Sequence, residues 1–270
     1  MSEPQVVLIT GTSSGVGQAT ARLLARHGYQ VFGTSRSPAA DATPGVTMVP
    51  LDVRSDASVA SCLSAVTGPS GRLDVLFNNA GYELAGALEE ISLDEAKAQF
   101  ETNFFGVTRM VNAVLPLMRR QGHGRIINMS SLTGMSPAPF MGIYTASKFA
   151  LDGYTEALRQ EVSPFNIHVS QVEPGFLRTP MMSHRQTAAR RIPEYDRWRD
   201  RAYQAVRSYE ETGPGPELVA ETILKIVSSK KPRLRYIVGK QAKMVTRLRR
   251  FLPEAAFEQG ARRTFHLDKA

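Results

Sequence analysis

The sequence predicts a doubly wound α/β fold, a parallel sheet with helices on both faces. Three observations carry this. Short apolar runs alternate with longer segments of helical period, the runs are apolar enough for strands covered on both faces, and the first run leads into a glycine-rich turn and a helix. Seven strand-like runs are QVVLIT (5–10), QVFGTS (30–35), VTMVPLDV (46–53), LDVLFN (73–78), GRIINMS (124–130), IHVSQVEP (167–174) and RYIVG (235–239). Helices are predicted near 15–27, 56–67, 92–119, 144–162 and 216–228. A chain of 270 residues, 42% hydrophobic, suffices for one core. We expect one domain over 1–240, with 241–270 as a basic amphipathic extension packed on it.

Composition narrows the setting. The single cysteine, Cys62, excludes an intrachain disulfide and fits a small core residue in a reducing compartment. No signal-peptide pattern opens the chain, and no apolar run approaches the ~20 residues that span a bilayer, so a cytoplasmic protein is expected. Charge is uneven: residues 1–177 hold 12 basic against 15 acidic residues, and 178–270 hold 21 against 10. Histidines 27, 123, 168, 184 and 266 lack metal-ligand spacing, so no metal is expected. Nucleic-acid binding has only net charge in its favour and no reading module, and is not expected.

The first strand runs into TGTSSGVG, Thr10 to Gly17, with glycines at 11, 15 and 17. Small residues let the backbone turn tightly and approach a ligand, while the free N–H groups of the next helix face a pyrophosphate. In this position the loop points to a dinucleotide and to a Rossmann fold. An acidic residue closing the second strand would hold the ribose of NAD; Ser35 and Arg36 stand there instead. An arginine suits the 2′-phosphate, so NADP(H) is expected, with NAD(H) as the alternative.

In YTASK, Tyr144 and Lys148 lie a turn apart on one helix face. A free tyrosine has a pKa near 10, too high for proton transfer at neutral pH, and an ammonium beside it would lower that value. A nearby serine hydroxyl would hold the substrate oxygen. With the phosphate loop, this set describes a hydride-transfer site.

These motifs resemble those of the short-chain dehydrogenase/reductases in their compact form. The matches are TGTSSGVG (10–17), LDV (51–53), NNAG (78–81), Asn103 in ETNFFG, SS (130–131), YTASK (144–148) and PGFLRT (174–179), covering about residues 5 to 240. The resemblance implies Tyr144 as acid/base, Lys148 as the group that lowers its pKa and holds the nicotinamide ribose, and Ser131, in preference to Ser130, as the carbonyl-orienting hydroxyl. It implies that Asn103 holds a water linking Lys148 to solvent. Around the dinucleotide it places Gly11, Thr12, Ser13, Ser14, Gly15, Val16 and Gly17, then Asp52 and Val53 at the adenine. Asn79, Ala80 and Gly81 support the cofactor, and Pro174, Gly175, Phe176 and Thr179 border the nicotinamide. It further implies a homodimer or homotetramer built on the helices near 92–119 and 144–162.

The substrate wall is expected to be apolar: Tyr82, Leu84, Phe140, Met141, Phe176, Leu177, Met181 and Met182, with Trp198 and Tyr195 hanging from a substrate-binding lid at 176–214. Such a wall suits a hydrophobic carbonyl or alcohol of steroid, retinoid, aliphatic or aryl ketone type. Glu83 is expected to face water, and the lid arginines 185, 190, 191, 197, 199 and 201 to lie on solvated faces. In the extension, Met244, Val245, Leu248, Phe251 and Leu252 fall at helical spacing among Lys243, Arg247, Arg249 and Arg250. The reading favours packing on its own domain or a second subunit over contact of 241–257 with an anionic membrane. Two functions stand side by side: an NADP(H)-dependent oxidoreductase interconverting carbonyl and alcohol, and a non-catalytic dinucleotide sensor on the same fold.

Overall fold

The computed structural model describes residues 4–38, 43–68, 70–180 and 185–268. Its seven-stranded sheet comprises β1 (Val6–Ile9), β2 (Gln30–Ser35), β3 (Val46–Pro50), β4 (Val75–Asn78), β6 (Gly124–Met129), β7 (Ile167–Pro174) and β9 (Arg235–Val238). The strands lie in the order β3-β2-β1-β4-β6-β7-β9, and every pairing is parallel. A separate two-stranded parallel pair joins β5 (Leu84–Ala85) to β8 (Gln186–Thr187). No sequence pattern announced that pair.

Strand residues divide between two cores by alternation. On one face Val6, Leu8, Leu76 and Ile126 meet α2 (Asp56–Thr67), α4 (Gly106–Gln121) and α5 (Gly142–Glu161). On the other, Val7, Ile9, Phe77 and Ile127 meet α1 (Gly15–Arg26) and α7 (Glu217–Ser228). Cys62 is buried in the first core, as expected of a small apolar side chain. Chain connections diverge on either side of the β1–β4 junction, so a crevice opens at the carboxyl edge of the sheet there.

The helix predicted near 92–119 is interrupted. It begins as α3 (Leu93–Phe100), entered through a capping box in which Ser92 and Glu95 each bond the other's backbone N–H. It then widens into a π-helical turn, Glu101–Phe105, before α4. Such a turn inserts a residue and re-aims its side chains; here it turns Asn103 inward, to 1% exposure.

After β7 the chain forms β8, then α6 (Asp196–Thr212). The extension is two helices, α8 (Lys240–Phe251) and α9 (Glu254–Thr264), separated at Pro253, whose ring cannot continue a helix. Ala242 of α8 packs on Gly175, and Phe265 joins Met141, Ala202 and Val206 in a small third core.

Candidate active site

A cleft of about 1520 Å³ lies at the carboxyl edge of the sheet. Its wall contains Gly11, Ser13, Ser14, Gly15 and Val16 from the first loop, and Ser35, Arg36, Asp52 and Val53 from the ends of β2 and β3. Asn79, Ala80, Gly81 and Tyr82 follow β4; Ser131, Met141, Tyr144 and Lys148 lie beyond β6; Pro174, Gly175, Phe176, Leu177 and Thr179 follow β7.

The glycine loop is shaped by close approach. Gly11 takes φ +72°, open to glycine at little strain. A Cβ on Gly17 would collide with the Gly11 carbonyl oxygen and lie 2.6 Å from Asn79 Nδ2. Gly17 is therefore a packing residue behind the cleft wall. Thr12 also turns away: its N–H donates to the Thr34 carbonyl at 2.8 Å and its hydroxyl to the same oxygen at 3.3 Å. Ser14 enters α1 with extended backbone and no side-chain cap, leaving the first N–H groups of the helix to the cleft. Asp52 receives a bidentate pair from Arg54, at 3.0 and 2.8 Å, which pulls its carboxyl down to about 2. The glycine cradle, the uncapped helix start and the exposed guanidinium of Arg36 fit a dinucleotide.

Tyr144 and Lys148 are both buried, on one face of α5. Lys148 Nζ donates to the Met129 carbonyl at 2.7 Å and lies 5.7 Å from the Tyr144 ring centre. Burial dominates both. It raises the Tyr144 pKa well above its ordinary value, with the Glu83 charge adding to the rise and the Ser131 and Thr133 hydroxyls opposing it. It pulls Lys148 down to about 8. The net lowering expected for the tyrosine is therefore not what the structure shows: loss of solvent prevails, and the opposing contributions come from Ser131, Thr133 and Arg185. Both serines reach the wall, but Ser130 donates to Asp152 and is committed there, whereas Ser131 accepts from the Thr133 N–H at 3.2 Å and faces the Tyr144 hydroxyl.

Several expected residues stand outside the wall. Asn103 accepts from the Tyr82 N–H (3.1 Å) and donates to the Tyr82 carbonyl (3.0 Å) and Ser147 (3.4 Å), tying the post-β4 loop to α5. Leu84 is buried in β5. Phe140, at φ +59°, turns its ring edge-on to Tyr195 and Tyr203, and Pro137 and Ala138 line the cleft in its place. Trp198 lies on α6 against the guanidinium groups of Arg197 and Arg201, at 5.1 and 5.2 Å, and Tyr195 bonds Glu89 at 3.0 Å. Met181 and Met182 lie outside the described residues.

Glu83 does not face water. It is 9% exposed and pairs with Arg185 at 2.8 Å, which also holds Glu210 at 2.7 Å. Burial pushes Glu210 up to about 7. Arg199 is likewise buried between Glu90 and Asp196. These lid arginines therefore fasten the 185–199 segment to the loop after β4. Sequence reasoning also missed Arg54, Thr133, Tyr209, Glu210 and the α8–α9 side of the wall, which includes Val245, Leu248, Leu252, Phe257 and Phe265. Arg54 had a local signal, two residues from Asp52; the Arg185 pairs join residues 25 and 102 positions apart and had none.

Comparison with known proteins gives three kinds of match. The model of a family described as short chain dehydrogenase matches residues 5–190. Among curated relatives, 3-ketodihydrosphingosine reductase of Bacteroides thetaiotaomicron is 42% identical over 88% of each chain. Human retinol dehydrogenase 8 is 40% identical over 86% of this chain and 80% of its own. Human 17-beta-hydroxysteroid dehydrogenase type 1 is 35% identical over 90% and 80%. Among solved structures, a short-chain dehydrogenase from Streptomyces avermitilis superposes with a TM-score of 0.80 at 32% identity, over 98% of this chain and 100% of that one. A Burkholderia phymatum homologue in complex with NAD gives 0.78 at 27%, over 93% and 95%. An actinorhodin polyketide ketoreductase with NADPH gives 0.75 at 29%, over 87% and 95%.

Arg185→Met leaves Glu83 and Glu210 uncompensated, and we expect a loss of roughly 3–5 kcal/mol in urea unfolding at pH 7. The loss should shrink at about pH 5, where protonation relieves the repulsion. Lys148 gives a second expectation. Its folded value of about 8 lies below its ordinary 10.5, so the unfolded chain binds more protons between them. Its contribution to stability is fully present above the unfolded value and is lost as pH falls through the folded one. Stability measured from pH 8 towards 10 should therefore rise, and Lys148→Met should flatten the slope.

Proposed function

The chain belongs to the short-chain dehydrogenase/reductase family and is an oxidoreductase acting on CH–OH groups, and from that premise we propose an NADP(H)-dependent enzyme that interconverts a carbonyl and a secondary alcohol on a hydrophobic substrate. One observation carries the reading: Ser131, Tyr144 and Lys148 share a single cleft with the glycine loop. Bound there, the dinucleotide would supply or accept the hydride.

The residues of the chain supply the rest. Buried Tyr144 keeps its proton at neutral pH and can give it to a carbonyl oxygen as charge develops there. Ser131 orients that oxygen. Lys148, held by the Met129 carbonyl and still largely charged at neutral pH, steadies the phenolate once the proton has left. Asn103 acts as a positioning residue, through Tyr82 and Ser147.

Arg36 supports NADP(H). It is exposed at the end of β2, where no carboxylate stands, and Arg54 neutralises the nearest acid, Asp52. Leu177, Leu218, Val245, Leu248 and Phe257 support an apolar substrate, as do the relatives named for ketodihydrosphingosine, retinol and hydroxysteroid. The exposed rings of Phe105 and Phe149, beside α4 and on α5, support the proposed homo-oligomer.

With NADPH and a panel of apolar ketones, the wild type should oxidise the cofactor, and Tyr144→Phe should lower kcat by at least about 10²-fold. NADPH binding without turnover across the panel would instead establish the sensor. In titrations of NADPH against NADH, Arg36→Asp should reverse the preference, which an unchanged ratio would refute.

A further inference from the structure

We propose that α8 and α9 form a docking surface for an anionic phospholipid bilayer at the mouth of the cleft. On α8, Met244, Leu248 and Phe251 stand at i, i+4 and i+7 and share one face. They are 55%, 42% and 77% exposed, and Leu252 extends the patch at 41%. Packing on the parent domain, the favoured expectation, therefore does not cover these side chains. Lys243, Arg247 and Arg250 repeat the same spacing one residue earlier, so a basic stripe runs beside the apolar one. From 240 to 268 the chain holds seven lysines and arginines against three acids, and two of those acids, Glu258 and Asp268, are paired with Arg262 and Arg263.

Charge selects the partner. A second copy related by two-fold symmetry would bring the same cations to the same face, and like charges across an interface oppose association. A nucleic acid offers negative charge but no hydrocarbon for Met244 and Phe251. An anionic bilayer offers phosphate at its surface and acyl chain behind it, which matches a basic stripe next to an apolar one. Among the described residues no helix is long and apolar enough to cross a membrane, so contact of this kind is interfacial.

Position joins the surface to the cleft. Met244, Leu248 and Leu252 are at once exposed and part of the cleft wall. A carbonyl compound dissolved in the outer leaflet would meet the mouth of the cleft without crossing water. That route rests on the function proposed above; the docking itself does not.

Co-sedimentation of the full chain tests this, with vesicles of phosphatidylcholine alone and with about a third phosphatidylglycerol, in about 0.1 M salt. We expect binding to the anionic vesicles only, weakened by salt. Arg247→Glu/Arg250→Glu and, separately, Phe251→Asp should reduce it at least about tenfold. None of the three residues lines the cleft, so reduction of a water-soluble ketone should be unchanged in both variants. No binding, equal binding to both vesicles, or variants that bind like the wild type would overturn the proposal. A dimer seen by light scattering and dispersed by Phe251→Asp, with no vesicle binding, would assign the face to a second copy. Vesicle binding by a chain that reduces no ketone would uphold the docking and remove the catalytic reading instead.

Discussion

The cleft depends on one clamp between β1 and β4. The Thr10 hydroxyl accepts from the Asn79 and Ala80 N–H groups, both at 2.9 Å, while Asn79 Nδ2 returns bonds to the Thr10 and Gly11 carbonyls at 3.0 and 2.8 Å. Two loops that leave adjacent strands for opposite faces are thereby held edge to edge. Satisfying these backbone groups within the protein fixes the glycine turn without using the first N–H groups of α1. Gly17 completes the device, since only a residue without Cβ lets the Gly11 carbonyl and the Asn79 amide come so close. Everything downstream, from the cradle to the position of Tyr144 across the crevice, is referenced to this junction.

Across the cleft, burial does the corresponding work by electrostatics. Withdrawing Tyr144 and Lys148 from water raises one pKa and lowers the other, so burial drives the two values apart and favours the uncharged form of each. Beneath them, Asn78 donates to Asn128 and Asn128 to Thr155, both at 2.9 Å, which locks α5 to β4 and β6. These two buried bonds give α5 a defined height above the sheet, although the Asn78 side-chain oxygen itself has no partner among the described residues.

The strands, the glycine loop and the Tyr144–Lys148 pair were legible because each is a local pattern: an apolar run, a turn chemistry, a helical step. Between Ser131 and Ser130 it was the family resemblance, not a local pattern, that pointed to the hydroxyl that Asp152 leaves uncommitted. Inference was uneven about where side chains in the long connections point: Tyr82, Met141, Phe176 and Leu177 do line the cleft, but others do not. Glu83, Arg185 and Arg199 look solvated in sequence, since nothing local says that an acid near 83 and an arginine near 185 will meet. Phe140 and Trp198 were expected at the substrate because they are aromatic and near the site, but a left-handed backbone turns one away and flanking arginines hold the other. The π turn was hidden as well, because a single inserted residue leaves the hydrophobic period of 92–119 almost unchanged.

The basic half of the chain shows how one composition serves two ends. Arg185 and Arg199 give up water for carboxylate partners, and burial at that cost is tolerable only because Glu83, Glu210, Glu90 and Asp196 complete the pairs. Arg247, Arg249 and Arg250 keep their water, and Arg249 spreads over the Phe257 ring at 5.0 Å. Buried pairs confer geometry but leave little field outside; exposed cations leave field but confer little geometry. The lid side of the cleft is thus fixed in shape while the α8–α9 side carries the charge, and the apolar wall runs between them. A net charge counted over residues 178–270 merges these two populations, which is why the number alone could not say whether the arginines met substrate, solvent or one another.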